Sequence, residues 1–212
     1  MKIKDFKAHK IVRSSPSPRN DYKEYREDLK TDFCDRCAYC NLKNSAITTP
    51  FEIDHFIPRV AFKDKRPSLE ADYNNLVYAC KKCNTSKSGK YMGNVLDDNP
   101  TNELFYDPVI VDYNTIFYRN EFGAIESDDA KGKQMIQHLK LYRPIHILGW
   151  LCEEINLVAD KLQVAIDCET NPEKKKELTD ALANVNSQYR KYNNLFIASY
   201  NDNSFELSVS NT

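Results

Sequence analysis

At 212 residues, with 30 Lys+Arg against 31 Asp+Glu, the chain has room for one domain with an appendage or two small domains, and its near-zero net charge excludes a uniformly basic or acidic protein. Its longest apolar runs, such as residues 76–80, fall far short of the ~20 residues that span a bilayer. The first seven residues lack the apolar core of an export signal, so the expectation is a soluble, cytoplasmic protein. The charge is unevenly placed: residues 1–95 hold 19 Lys+Arg against 12 Asp+Glu, and residues 96–212 hold 11 against 19. Any polyanion-binding surface is therefore expected in the first half.

In chain order, residues 1–20 are polar and basic, and the Ser/Pro run at 14–18 breaks regular structure, which predicts an extended basic arm. Tyr22, Tyr25 and Leu29 recur at the spacing of a helix docking one face. Residues 21–95 then read as one small domain: a strand over 51–57, a basic loop over 59–72, a strand over 76–79, and a short helix beginning near Asn84, with Gly89 supplying a positive φ at its end. Two strands and one short helix bury little apolar surface, so a covalent or metal staple is expected.

The cysteines supply the staple. Seven in a chain without an export signal argue for metal rather than disulfides. The knuckles Cys37–Cys40 and Cys80–Cys83 each present two thiolates, and together they make a tetrahedral four-sulfur zinc set that clamps the strand–loop–strand unit at both ends. Cys34 forms a second possible knuckle with Cys37; the 37/40 pair is preferred, because Cys34 follows Phe33 at the end of a helical stretch and is expected to be buried there. Cys152 and Cys168 read as small buried hydrophobes.

Residues 96–199 read as an accessory region. A hairpin over 115–125 turns at Gly123. One candidate helix follows with Ile136, Leu139 and Leu141, and then a longer one ending near Cys168 with a stripe of Ile147, Leu148, Leu151, Ile155, Val158 and Leu162. A last helix starts at Asn171-Pro172 and runs to about Leu195. Residues 200–212 read as a polar tail. His9, His138 and His146 fall in no partner pattern.

Within residues 33–90, Cys37-x-Tyr-Cys40, Asp54-His55-Phe-Ile-Pro58, Asn75-Leu-Val and Cys80-x-x-Cys83-Asn84-x-x-Lys87 occur in an order that resembles the HNH endonucleases of the ββα-metal superfamily, in their four-cysteine zinc variant. The resemblance implies an α+β fold: a zinc-stabilised ββα-metal nuclease core with an N-terminal arm and helix and a C-terminal helical region. By the same resemblance His55 is the general base that activates water, and Asn75 hydrogen-bonds the loop that orients it. Asp54 and Asn84 would hold one divalent ion, Mg²⁺ or Mn²⁺ given oxygen donors. Lys87 and Arg59 are the expected nucleic-acid contacts. The substrate expected is nucleic acid, DNA ahead of RNA, cut by hydrolysis to leave 5′-phosphate ends. The hairpin followed by helices is also similar to the HNH subunits of bacterial anti-phage systems of the Septu and retron-linked kind, which work beside an ATPase subunit. The rival reading is a non-catalytic zinc-knuckle module that binds nucleic acid or protein.

Overall fold

The strand pair expected around Asp54 and His55 forms, but shorter than its apolar run. In the computed structural model, described over residues 4–45 and 47–202, β1 is Lys4–Asp5, α1 is Arg26–Asp32, β2 is Glu52–His55, α2 is Arg59–Phe62, β3 is Leu76–Ala79 and α3 is Lys81–Lys87. Strands β2 and β3 pair antiparallel with Asp54 opposite Val77 and His55 opposite Leu76. β2 stops at His55 because the next two backbone amides are claimed by one residue: Phe56 N donates to the Asn75 carbonyl and Ile57 N to the Asn75 side chain, both at 2.8 Å.

The stretch read as a basic loop contains α2 and a 3-10 turn at Pro67–Glu70. Both exist to bury an apolar residue, Phe62 and Leu69 respectively. Helix α3 starts three residues before Asn84, because the Cys80 sulfur accepts from Cys83 N at 3.4 Å and so caps it. The left-handed residue at its end is Ser88, with φ +47°, and not Gly89, where an added Cβ would meet the Val60 side chain at 3.4 Å, an ordinary contact.

The N-terminal segment is bound to the fold rather than free. β1 pairs with β4 (Tyr118–Arg119), which pairs in turn with β5 (Ile125–Glu126), giving a three-stranded sheet in the order β1-β4-β5. Phe6 follows β1 into the core against Phe117 and Tyr113, with ring centroids 5.4 and 6.1 Å away. The backbone N–H of Ser14 donates to Asp32 at 3.0 Å, and the Arg13 guanidinium donates to the Leu76 carbonyl over the Phe33 and Tyr73 rings. The helix expected from Tyr22 opens as a 3-10 turn, Tyr22–Tyr25, before α1. Gly123 makes the expected hairpin turn at φ +80°. Helix α4 (Ala130–His138) is capped by Asp129, which accepts from Gly132 N at 2.7 Å; of the three residues expected in it only Ile136 lies inside, Leu139 being the C-cap and Leu141 past the end, though all three are buried.

By contact density the chain divides after Tyr142, so the hairpin and α4 belong with the motif-bearing unit. The second unit is a helical hairpin of α5 (Pro144–Cys168) and α6 (Pro172–Asn201). Asn171 caps α6 by accepting from Glu173 N and Lys174 N. α6 continues past Leu195 because Phe196 and Tyr200, one turn apart, are buried. Of the expected α5 stripe, Val158 is exposed and the other five are half-buried; the fully buried positions, Ile145, His146, Gly149, Cys152 and Ile166, lie outside it. Cys168, expected inside, is exposed at the helix end. Residues 203–212 of the expected tail lie outside the described residues. Among the described residues no helix is long and apolar enough to cross a membrane.

Candidate active site and zinc cluster

Four thiols from two chain reversals meet beside the β2–β3 pair. The sulfurs of Cys37, Cys40, Cys80 and Cys83 lie within 4.8 Å of one another, and Cys40 Sγ is 3.8 Å from Cys80 Sγ. A tetrahedral zinc with bonds of about 2.3 Å sets its ligand sulfurs about 3.8 Å apart, so the set fits that ion. Hydrogen bonding to Cys37 and Cys40, followed by burial, pushes the Cys80 and Cys83 thiols well above their ordinary range. Such a cluster holds thiolates only around a cation. Cys34 is exposed rather than buried, with φ +54° at the end of α1, and stands outside the set, as the choice of the 37/40 knuckle requires. Lys7 is buried over the Tyr113 ring and donates to the Ala38 carbonyl at 2.7 Å; burial lowers it to about 8, against the pull of Cys37 and Cys40.

The zinc knuckles position β2, and β2 sorts the chemistry by face. Its even side faces α3, which presents Asn84 and Lys87 one turn apart. Lys87 is wholly buried, and its ammonium lies 3.1 Å from each oxygen of Asp54 and 2.7 Å from the His55 carbonyl. Tyr39 closes the group by donating to Asp54 Oδ2 at 2.6 Å. Burial raises the Asp54 carboxyl, and Lys87 and Tyr39 work against that rise. Lys87 thus serves as the internal countercharge of Asp54 rather than at the surface where a phosphate would lie. Asn84 is half-buried and donates from Nδ2 to Glu52 Oε2 at 2.7 Å. The structure therefore places Asn84 beside Glu52, and Asp54 beside Lys87 and Tyr39.

The other side of β2 carries His55. Its Nε2 lies 2.9 Å from the Glu70 carbonyl oxygen, and its ring packs against Phe62 and Tyr22, with centroids 5.6 and 4.8 Å away. Burial lowers the His55 pKa, countered by the Glu70 carbonyl and carboxylate and by Asp54. The imidazole is accordingly neutral near pH 7, as a proton acceptor must be. Asn75 ties the loop that carries these contacts: Oδ1 accepts from Ile57 N at 2.8 Å, and Nδ2 donates to the Ile57 and Leu69 carbonyls at 3.2 and 3.1 Å. Arg59 is largely exposed and pairs with Glu70 at 2.9 Å.

Tyr39, Glu52, Glu70 and Tyr22 were not picked out as site residues from the sequence. Glu52 had a signal, since a strand's period of two places it on the Asp54 face. Tyr39 stood inside its knuckle with no role attached. Tyr22 and Glu70 reach the site only through tertiary packing.

Residues 37–90 match the family model of HNH endonucleases. The chain is also similar to the Septu protein PtuB of Bacillus thuringiensis, 27% identical over 109 residues that span 50% of this chain and 36% of that relative's length. No solved structure matches the chain significantly.

Proposed function

Taking residues 37–90 as an HNH endonuclease domain, we propose that the protein is a metal-dependent endonuclease that hydrolyses phosphodiester bonds, with DNA as its substrate, in an anti-phage system that includes an ATPase partner. The observation that carries the catalytic part is His55: a neutral, buried imidazole with one nitrogen engaged by a backbone carbonyl, on a strand held by a four-thiol cluster. The similarity to a Septu protein supports the defence setting.

In this reading His55 accepts the proton of the attacking water through the ring nitrogen that Glu70 does not engage, and 5′-phosphate ends result. Asn75 holds the loop in register, so the imidazole is oriented before substrate arrives. Asp54 and Asn84 are the oxygen donors that would hold Mg²⁺ or Mn²⁺, with Asp54 sharing its oxygens between the ion and its contacts to Lys87 and Tyr39; the ion would neutralise charge on the phosphate and the leaving 3′ oxygen. Lys87 and Tyr39 oppose the burial that raises the Asp54 carboxyl, and Glu52 fixes the Asn84 amide. Zinc, held by Cys37, Cys40, Cys80 and Cys83, is structural. Arg59 is the exposed cation that would meet the nucleic-acid backbone, and we assign Lys87 to the interior.

The test is His55→Ala in the full chain with Mg²⁺ or Mn²⁺ and supercoiled DNA, alone and with any ATPase found to copurify with it. Cleavage is expected to fall by at least about 10³-fold while zinc content and DNA binding persist, as for loss of a general base together with its placement. Undiminished cutting by the variant refutes the assignment.

A further inference from the structure

His55 is held from three sides, and one of them lies outside the segment that matches the family. The Glu70 carbonyl meets Nε2 at 2.9 Å and the Phe62 ring packs at 5.6 Å; both belong to the chain between β2 and β3. The third contact is the closest ring: Tyr22 meets the imidazole at 4.8 Å between centroids, with the planes 62° apart, edge to face. Tyr22 precedes residue 37, where the family match begins.

The turn that carries Tyr22 is tied down at both ends. Asp21 accepts from Lys23 N at 2.9 Å. The Arg19 backbone N–H donates to the Tyr25 hydroxyl at 2.7 Å, and its guanidinium pairs with Asp28 at 2.6 Å. Tyr25 is buried against Tyr73, with centroids 4.9 Å apart. One residue on, Arg26 donates to the Phe51 carbonyl at 2.6 Å, which ties this turn and α1 to the residue just before β2. Tyr22 is therefore a fixed wall for His55 rather than a passing surface ring. One hydrogen bond at Nε2 leaves an imidazole free to tilt about the bond, and a ring packed at its side removes that freedom.

We propose that Tyr22 is a positioning residue: its ring sets the tilt of His55, so the N-terminal segment completes the active site that the matched segment only begins. The proposal rests on the reading of His55 as the base. It is the ring that acts, because the edge-to-face contact is between ring atoms, so Phe is expected to substitute and an aliphatic residue is not.

The test compares zinc-loaded full-length wild type, Tyr22→Phe and Tyr22→Leu. The ring nitrogens of His55, read by ¹⁵N NMR, are expected to show one fixed tautomer in wild type and Y22F and an averaged signal in Y22L. On supercoiled DNA with Mn²⁺, Y22L is expected to lose about 10- to 100-fold in kcat with KM within about twofold, the scale of a misplaced catalytic group; Y22F stays within about twofold of wild type. An unchanged His55 spectrum in Y22L overturns the proposal, and so does a raised KM at constant kcat, which would make Tyr22 a substrate contact. If Y22L loses zinc or cooperative unfolding, Tyr22→Met, unbranched and without the ring, replaces it. Undiminished cleavage by H55A would sink the base assignment, while the Y22L spectrum would still decide whether Tyr22 sets the ring.

Discussion

His55 and Lys87 show how burial decides what a side chain does. Burial holds the His55 pKa below the ordinary histidine value of 6.5, so the acid limb of the pH–rate profile is expected below that value, with activity level through neutrality. Glu70 and Asp54 pull the other way and Arg59 assists burial, so the profile is best measured at fixed ionic strength. The stability effect has a definite sign. The unfolded chain takes up the proton at a higher pH than the native one, so the contribution is complete above 6.5 and is lost as the pH falls below it. Lys87 makes a second prediction. Lys87→Met leaves the Asp54 carboxylate buried without its countercharge, at a cost of about 3–5 kcal/mol; urea unfolding of K87M and of K87M/D54N measures it, the double variant recovering part. Ser88 makes a third. It holds φ +47° and ψ −139°, where a non-glycine residue costs about 1–3 kcal/mol, and its side chain is exposed. Ser88→Gly is expected to raise the melting temperature by a few degrees.

At the scale of elements, the β2–β3–α3 unit is too small to hold itself, and its cysteines clamp it from both ends. Cys83→Ser is expected to abolish stoichiometric zinc and the cooperative unfolding of this unit, read by metal analysis and circular dichroism. Helix α4 shows contact overriding propensity. Replacing a helical glycine by alanine ordinarily stabilises by about 1 kcal/mol. At Gly132 the added carbon would lie 2.2 Å from the Ser127 hydroxyl and 2.9 Å from an Ile116 methyl. Ser127 is buried and donates to the Ile116 carbonyl at 2.7 Å, so neither group moves cheaply. Gly132→Ala is therefore expected to lower the melting temperature, against the propensity scale.

At the scale of the molecule, the chain is a motif-bearing unit through Tyr142 and a helical hairpin after it, and what could be read in advance divides by the range of the interaction. The four clustered thiols, the strand pair and the Gly123 turn are legible in the sequence because each depends on short spacings: two-residue gaps in a knuckle, apolar runs along a strand, a positive φ at a turn. The capping of α6 by Asn171 is legible for the same reason; the loop contact of Asn75 comes only through the family resemblance. The spacing of Lys87 from Asn84 shows which helix face it shares but not how deep that face lies, and depth is what sets Lys87 against Asp54. The polar composition of the N-terminal segment carries no sign of where it docks, because β1 finds its partner more than a hundred residues away in β4. Residue types at close spacing carry the local chemistry: four clustered thiols, an imidazole and neighbouring side-chain oxygens. Long-range packing alone pairs Asp54 inward with Lys87 and Tyr39, sets Asn84 against Glu52 and stands Tyr22 against His55, because each joins residues whose separation in the chain carries no periodic signal.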